Sequence, residues 1–341
     1  MTSAKSKVSV IVPNYNGISI LRDCLLSLLE HDRKPDQIVV VDNGSSDGSP
    51  DIIRREFPSI TLVALDKNTG FTGANNTGIK ASSGDLLVLL NNDCIVEPSW
   101  LDSLLHRMDD PSVAAVTSSM RNISDVNIMD SAGGQIDWMG FASDMGKGES
   151  ASLHRESTSI PFPCGGAVIV RRSALPRPDR LFWDDLFIYQ EDLDLGYELL
   201  RTGWKIVYEP EAVVRHMHSA TMSKFSSFKE RLCVRNRLLV MRKHFDHKTF
   251  SEIAPVVKKW QNLWIIKSIA RGRLAQAKAV FKGTSQGLNM PVKRFKAPLP
   301  LNDIFVNFAR KSTTTSGIKK RMYKEMESII RKNSSSREQY E

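Results

Sequence analysis

Along the first hundred residues, short and almost wholly apolar runs alternate with segments whose apolar positions recur every three or four residues. The runs are Val8-Ser-Val-Ile-Val12, Gln37-Ile-Val-Val-Val41, Ile60 to Leu65, and Asp85-Leu-Leu-Val-Leu-Leu90; Leu21, Leu25, Leu28 and Leu29 mark the clearest helical face between them. A run without a polar face fits a strand covered on both sides. Strands alternating with helices through short links predict parallel βαβ units in a doubly wound α/β sheet. Each run ends on polar sequence: Pro13-Asn-Tyr-Asn-Gly17, Asp42-Asn-Gly-Ser-Ser-Asp-Gly48, Asn68-Thr-Gly-Phe-Thr-Gly-Ala-Asn-Asn76 ahead of a short helix, and Asn91-Asn-Asp93. Ligands bind outside the carboxyl ends of such strands, so Asp93 stands where a cation-dependent site would be built. Asn-Asn-Asp is equally a good turn that leaves Asp93 solvated.

Beyond residue 110 the pattern changes. Ser131 to Asp137 and the Gly-rich stretch to Gly148 read as irregular or hairpin structure, and Cys164-Gly-Gly-Ala-Val-Ile-Val170 as a glycine turn entering a buried strand. Leu193, Tyr197 and Leu200 at helical spacing, with Gly203 as a stop, put Glu191 and Asp192 at a helix N-terminus. Negative charge is favoured there by roughly 0.3–1 kcal/mol, and an ionised carboxylate is also what a general base requires. His216 and His218, two residues apart on a strand-like segment, share one face. After Lys224 the pattern is helical. Leu263, Ile266, Ala270, Leu274, Ala277 and Phe281 form an apolar stripe edged by Lys258, Lys259, Lys267, Arg271, Arg273, Lys278 and Lys282, with Trp260 and Trp264 beside it. Such a stripe suits either a helix lying on anionic lipid or packing against the catalytic domain or a second subunit. The composition from Asn333 onward predicts a disordered tail over 333–341.

Charge divides the chain in two. Of the net +9, residues 223–341 carry 27 Lys and Arg against 8 Asp and Glu, net +19, and the first 222 residues are net −10. The halves therefore suit different partners. The basic part raises nucleic-acid binding, but it has no reader motif and the acidic front would repel phosphate except at a metal. Cys24, Cys94, Cys164 and Cys233 show no metal or redox spacing, which fits a reducing, cytoplasmic setting. Pro13-Asn14 interrupts the first run before it could form a signal-peptide core, and no apolar stretch approaches the roughly 20 residues that span a bilayer. Any membrane contact would be peripheral, at the inner face.

Two candidate nucleotide contacts follow from the strand ends. Asp42, beside the loop of Tyr15, suits the imide N–H of a pyrimidine with Tyr15 stacking on the base; a turn role for Asp42, with Asp47 as a helix N-cap, explains the same residues. Gly70, Gly73 and Gly78 hint at a dinucleotide-binding turn, but the spacing is not G-x-G-x-x-G and the turn follows the third strand.

Taken together, Val8 to Gly17, Val-Val-Val-Asp42-Asn-Gly-Ser-Ser-Asp47, Asn68 to Asn76 and Leu-Leu-Asn91-Asn-Asp93 resemble the successive signatures of family-2 glycosyltransferases, closest to the rhamnosyltransferase-like branch of cell-surface polysaccharide synthesis. The likeness covers about residues 7–245. It implies a GT-A fold, with a catalytic domain over 1–245 (nucleotide part 7–110, acceptor part 111–245), a basic helical extension over 246–332, and inverting transfer from a nucleoside-diphosphate sugar with Mg2+ or Mn2+. It implies Asp192, with Glu191 beside it, as the base, and Asp93 with His216, or His218 in its place, on the metal. Pro13, Tyr15, Asp42, Asn68, Gly70, Asn91, Asn92, Gly165 and Gly166 would hold a dTDP- or UDP-linked donor. The acceptor would be a glycan or a polyprenyl-diphosphate-linked hydroxyl, and a homo-oligomer fits the pattern. One departure is that Asn91 replaces the first acidic residue of the family's Asp-x-Asp motif, which leaves Asp93 as its one ionic ligand. The nearest rival, a sugar-1-phosphate nucleotidyltransferase, would carry a basic Gly-rich loop where this chain has Pro13 to Gly17.

Overall fold

The apolar runs become strands because both of their faces find helices. In the computed structural model, which describes residues 6–30, 33–175, 177, 179–217, 227–295, 299, 301–310 and 317–335, the chain opens with β1 (Val8–Asn14), α1 (Ile18–Leu29), β2 (Gln37–Asp42), α2 (Ser49–Glu56), β3 (Thr61–Ala64), α3 (Gly70–Ala81) and β4 (Leu86–Leu90). Val10, Val12, Val88 and Leu90 pack with Leu21, Leu25 and Leu28 of α1. Their strand neighbours Ile11, Leu87 and Leu89 pack with Ala74 and Ile79 of α3 on the other side. Each such fully buried aliphatic side chain stabilises the fold by roughly 1.5–3 kcal/mol relative to exposure. One local expectation changes: Asn68 to Asn76 does not precede a helix but opens one, since α3 begins at Gly70.

The four strands pair in parallel in the order β3-β2-β1-β4. Connections leave β1 in opposite directions, and the reversal between β1 and β4 opens a crevice at their carboxyl ends. The chain continues through β5 (Cys94–Val96), α4 (Trp100–Met108), β6 (Val113–Asn122), β7 (Asp125–Ser131), β8 (Gly134–Asp137), β9 (Ala142–Asp144), β10 (Thr158–Ser159), β11 (Ala167–Arg171), α5 (Glu191–Arg201) and β12 (Lys205–His216). Past β4 the sheet runs β11-β6-β12-β10, with β11 antiparallel to β4 and β6, and β12 parallel to β6. A bulge between Glu209 and Val213 shifts the register of β12 before it reaches His216, which pairs with Cys94 of β5 and Asn122 of β6.

Two compact units form, 1–134 with 144–221 and 135–143 with 222–341. The second contains α6 (Ser227–His244), α7 (His247–Ala270), α8 (Leu274–Asn289), α9 (Leu301–Phe308), β13 (Ala309–Arg310) and α10 (Gly317–Ser335). A boundary at 245 would fall between α6 and α7; α6 instead sides with the helices, because α8 lays Gly283 and Gly287 against Arg231 and Leu238 of α6. The long stripe of the tail is also divided. Arg271-Gly272-Arg273 turns the chain, with Gly272 at φ +69, and the buried faces are Ile253, Val256, Val257 and Gln261 on α7 and Ala277, Ala279 and Val280 on α8. Of the stripe, Ile266, Leu274 and Phe281 lie exposed. Asn333 to Ser335 belong to α10 rather than to a disordered tail, and 336–341 lie outside the described residues. Among the described residues no helix is long and apolar enough to cross a membrane.

Candidate active site

Asparagine side chains hold the crevice in shape. At the end of β1, Asn14 Nδ2 donates to Asp42 Oδ1 at 3.0 Å, and its Oδ1 accepts from Asn92 Nδ2 at 2.8 Å. Three strand ends are tied by this one side chain. Asp42 is buried, and its Oδ2 accepts from the Ser45 amide. Both carboxylate oxygens thus already serve the turn, with lone pairs to spare for a base. Half-exposed Tyr15 lies on a loop bonded to the one after Asp42: Asn16 N donates to Ser45 Oγ, and Asn16 Oδ1 accepts from Ser46 N. Pro13 pairs with Val41 inside the sheet. Asp47 is not the N-cap of α2, a place Gly48 takes, but it flanks that start: its Oδ1 accepts from Ser49 N and its Oδ2 from the Ile18 amide at the start of α1.

Asn68 and Gly70 meet the rest of the site through Asn43. Asn43 Nδ2 donates to Asn68 Oδ1 and to the Gly70 carbonyl, while its Oδ1 accepts from Thr69 N. Gly70 has φ +77, and a Cβ there would lie 2.4 Å from the Phe187 carbonyl oxygen, so only glycine fits. From the same helix Thr72 N donates to that carbonyl, and Asn76 grips residues 181–184 through the Leu181 and Phe182 amides, the Phe182 carbonyl and Asp184 Oδ1. The motif of α3 is thereby laced to the segment that delivers Glu191 and Asp192.

The metal candidates converge. Asp93, 8% exposed, places Oδ1 3.4 Å from His216 Nε2, and among the described residues that oxygen has no hydrogen-bond partner. On the opposite ring edge His216 Nδ1 meets Asp130 Oδ2 at 2.5 Å, and Asp130 Oδ1 lies 3.5 Å from Lys147 Nζ. A histidine whose Nδ1 is held by a carboxylate presents Nε2 as the ligand atom. Burial works to lower the His216 pKa, but the hydrogen bond to Asp130 and the charges of Asp93 and Asp130 outweigh it and raise it to about 9, so a cation taken at Nε2 would displace a proton. Cys94 shares this cluster; burial and then the Asp93 charge push its thiol well up, so it remains protonated. An orphaned buried carboxylate oxygen facing an oriented imidazole fits a hard divalent cation. His218 lies outside the described residues.

Gly165 and Gly166 lie between this cluster and the candidate base, Asp192. Asn91 N donates to the Gly166 carbonyl at 2.8 Å, and a Cβ on Gly166 would lie 3.1 Å from Asn91 Nδ2. A Cβ on Gly165 would lie 3.5 Å from the Phe71 ring and 4.0 Å from Asp192 Cβ. Burial, then the charge of Asp144, push the half-buried Asp192 up to about 7, against its bond from Leu193 N. Burial and the charges of Asp192 and Asp194 drive the deeper Glu191 well up, and its Oε2 has no hydrogen-bond partner. Of the two, Asp192 is the carboxylate that ionises near neutrality.

Sequence reasoning missed Asn14, Asn43, Asn76, Asp130 and Asp144. The first three lie inside the quoted motifs, where their repeated amides were a usable signal; Asp130 and Asp144 sit in strands whose pairing no periodicity announces.

The sequence model of Glycosyl transferase family 2 matches residues 9–177. The chain is 36% identical over 107 residues to glycosyltransferase AglE of Haloferax volcanii, covering 30% of this chain and 35% of that protein. It is 24% identical over 218 residues to O-antigen chain rhamnosyltransferase RfbN of Salmonella typhimurium, covering 63% of this chain and 68% of RfbN. The chain therefore spans about a third of the length of AglE. The solved mannosyltransferase PcManGT from Pyrobaculum calidifontis, in complex with GDP-Man and Mn2+, matches with a TM-score of 0.53 at 17% identity, covering 84% of this chain and 88% of that one. The fold is of the GT-A type, followed by C-terminal helices.

Proposed function

This chain belongs to glycosyl transferase family 2, and we propose that it moves a sugar from a nucleoside-diphosphate donor to a hydroxyl acceptor with inversion at C1. The observation that carries the reading is the unpartnered Asp93 Oδ1 facing His216 Nε2, with Asp130 fixing the ring. Mg2+ or Mn2+ held by Asp93 and His216 would supply Lewis-acid stabilisation of the charge on the departing diphosphate. Asn91, Asn92, Gly165 and Gly166 form the floor beneath the donor, and Asp42 with Tyr15 receives a uracil or thymine base. Asn68 and Gly70 shape the donor side through Asn43. Asp192 accepts the proton of the acceptor hydroxyl while that oxygen forms its bond to C1. The bond from C1 to the diphosphate breaks, its electron pair leaves on the phosphate oxygen, and attack from the opposite face inverts the centre. Glu191, whose carboxyl burial and the charge of Asp192 push well above its usual range, stands beside it.

The similarity to an O-antigen rhamnosyltransferase favours dTDP-L-rhamnose as donor and a cell-surface glycan or polyprenyl-diphosphate-linked acceptor, met at the inner face of the membrane. Titration calorimetry with dTDP, UDP and GDP, each with and without Mn2+, tests the core of the proposal. Binding of a pyrimidine diphosphate that requires Mn2+ and is lost in Asp93→Ala is expected. Binding that is equal with and without Mn2+, in wild type and in the variant, would remove the metal site.

A further inference from the structure

The helical unit holds a cavity of about 680 Å3 that the transfer chemistry leaves unused. Its size is that of a small-ligand site. Phe141, Trp260 and Trp264 supply apolar wall, and Lys267, Arg271, Arg273 and Lys319 supply cations. Lys319 Nζ lies 4.9 Å from the Trp260 ring centre. One carboxylate, Asp137, also lines the space, but it is occupied within the protein: it accepts from Tyr323 Oη at 2.5 Å and from the Met139 and Phe141 amides. Gln276 of the lining is held by Glu230. Behind the wall, Arg237 is buried with its guanidinium 3.8 Å from the Phe141 ring centre and none of its three nitrogens hydrogen-bonded. The cavity thus combines aromatic wall with a positive rim, and its one acid is already committed.

The surface next to the rim carries a second signal. Ile266, Ile269, Leu274 and Phe281 are 61%, 52%, 66% and 66% exposed on α7 and α8, and residues 253–302 contain ten Lys and Arg and no Asp or Glu. Exposed aliphatic and aromatic side chains set among cations match an anionic bilayer surface, where the chains enter the interface and the cations meet headgroups.

We propose that this cavity takes the phosphate head and first chain carbons of an anionic membrane lipid, with Ile266, Ile269, Leu274 and Phe281 seated in the bilayer interface around it. Arg271, Arg273 and Lys267 bind the phosphate, and Trp260 and Trp264 line the chain. The inference is independent of the sugar-transfer reading.

Full-length protein is mixed with phosphatidylcholine vesicles, with and without about 30 mol % phosphatidylglycerol, and binding is followed by co-sedimentation and by tryptophan quenching from brominated phosphatidylglycerol chains. Binding that needs the anionic lipid, with quenching reduced at least about tenfold in Arg271→Glu/Arg273→Glu but less than about twofold in Lys258→Glu/Lys259→Glu, supports the site. Circular dichroism and thermal melting confirm that the variants, all at exposed positions, remain folded. Equal losses in the two double variants would reduce the effect to general charge attraction and overturn the cavity. Equal binding to neutral vesicles would overturn the lipid. Monomeric dihexanoyl phosphatidic acid or inorganic phosphate that fills the site in solution, without any vesicle binding, would overturn the membrane source.

Discussion

The strand ends of the first unit and the helices of the second differ in how their polar and apolar groups are spent. At the mouth of β1, β2 and β4 the buried polar atoms are mostly partnered across long sequence distances, and one without a partner among the described residues, Asp93 Oδ1, faces an oriented imidazole. In α7 and α8 the amides of Gln261 and Gln286 are also left without full partners among the described residues, but what sets these helices apart is apolar: large side chains stand in water among cations with no acidic residue between them. An orphaned acceptor in a satisfied network calls for a cation, whereas an exposed aliphatic cluster among positive charges calls for an anionic surface. The two regions ask for partners of opposite charge.

The sharpest way to break that contrast is at the base. Asp192→Asn is expected to lower turnover by about 10²–10⁴-fold while nucleotide-diphosphate binding, read by calorimetry, stays near wild type; unchanged turnover removes Asp192 from the chemistry. Next comes the imidazole clamp. Asp130→Asn keeps the size of the side chain but weakens the hold on His216 Nδ1, and Mn2+ affinity is expected to fall about 10–100-fold with pyrimidine-diphosphate affinity falling alongside. An unaltered Mn2+ titration would assign Asp130 to the fold alone. The pH dependence follows from the raised Asp192 pKa. The base works deprotonated, so kcat/KM should climb about tenfold per pH unit up to about 7 and then level; a plateau already reached by pH 5 would contradict the burial argument.

Smaller effects test the scaffold and the surface. Asn76→Ala strips partners from the Leu181 and Phe182 amides, and a loss of about 1–3 kcal/mol in urea-unfolding stability is expected. Leu274→Ser should change stability by less than about 0.5 kcal/mol, because that side chain contributes nothing to the core. A large loss at Leu274 would mean the exposed cluster is covered within the folded protein.

Most of the nucleotide half was legible in the sequence because its strands are short, buried on both faces and closed by polar motifs, so pattern alone places Asp42, Asn91, Asn92 and Asp93. Asp192 was legible from a helix start. Asp130 was not, since its meeting with His216 depends on β6 carrying β7 on one side and β12 on the other, and on a bulge that resets the register. The helical unit was legible only in part, for a related reason. An apolar period of three to four says that a helix exists, not which face is buried, and across the three-residue break at Arg271–Arg273 Ile266, Leu274 and Phe281 face outward while Ala277 turns inward.

Phe187, Tyr189 and Gln190 all have positive φ, at 65°, 73° and 71°, a conformation that side-chain-bearing residues adopt at a cost of order 1–3 kcal/mol each. They sit directly ahead of Glu191, and the grip of α3 on residues 181–187 is what keeps them there. The approach to Asp192 is therefore a cocked spring whose catch lies on α3. A change that loosens α3 is expected to loosen the placement of Asp192 as well, so that the two sides of the crevice move as one mechanical part.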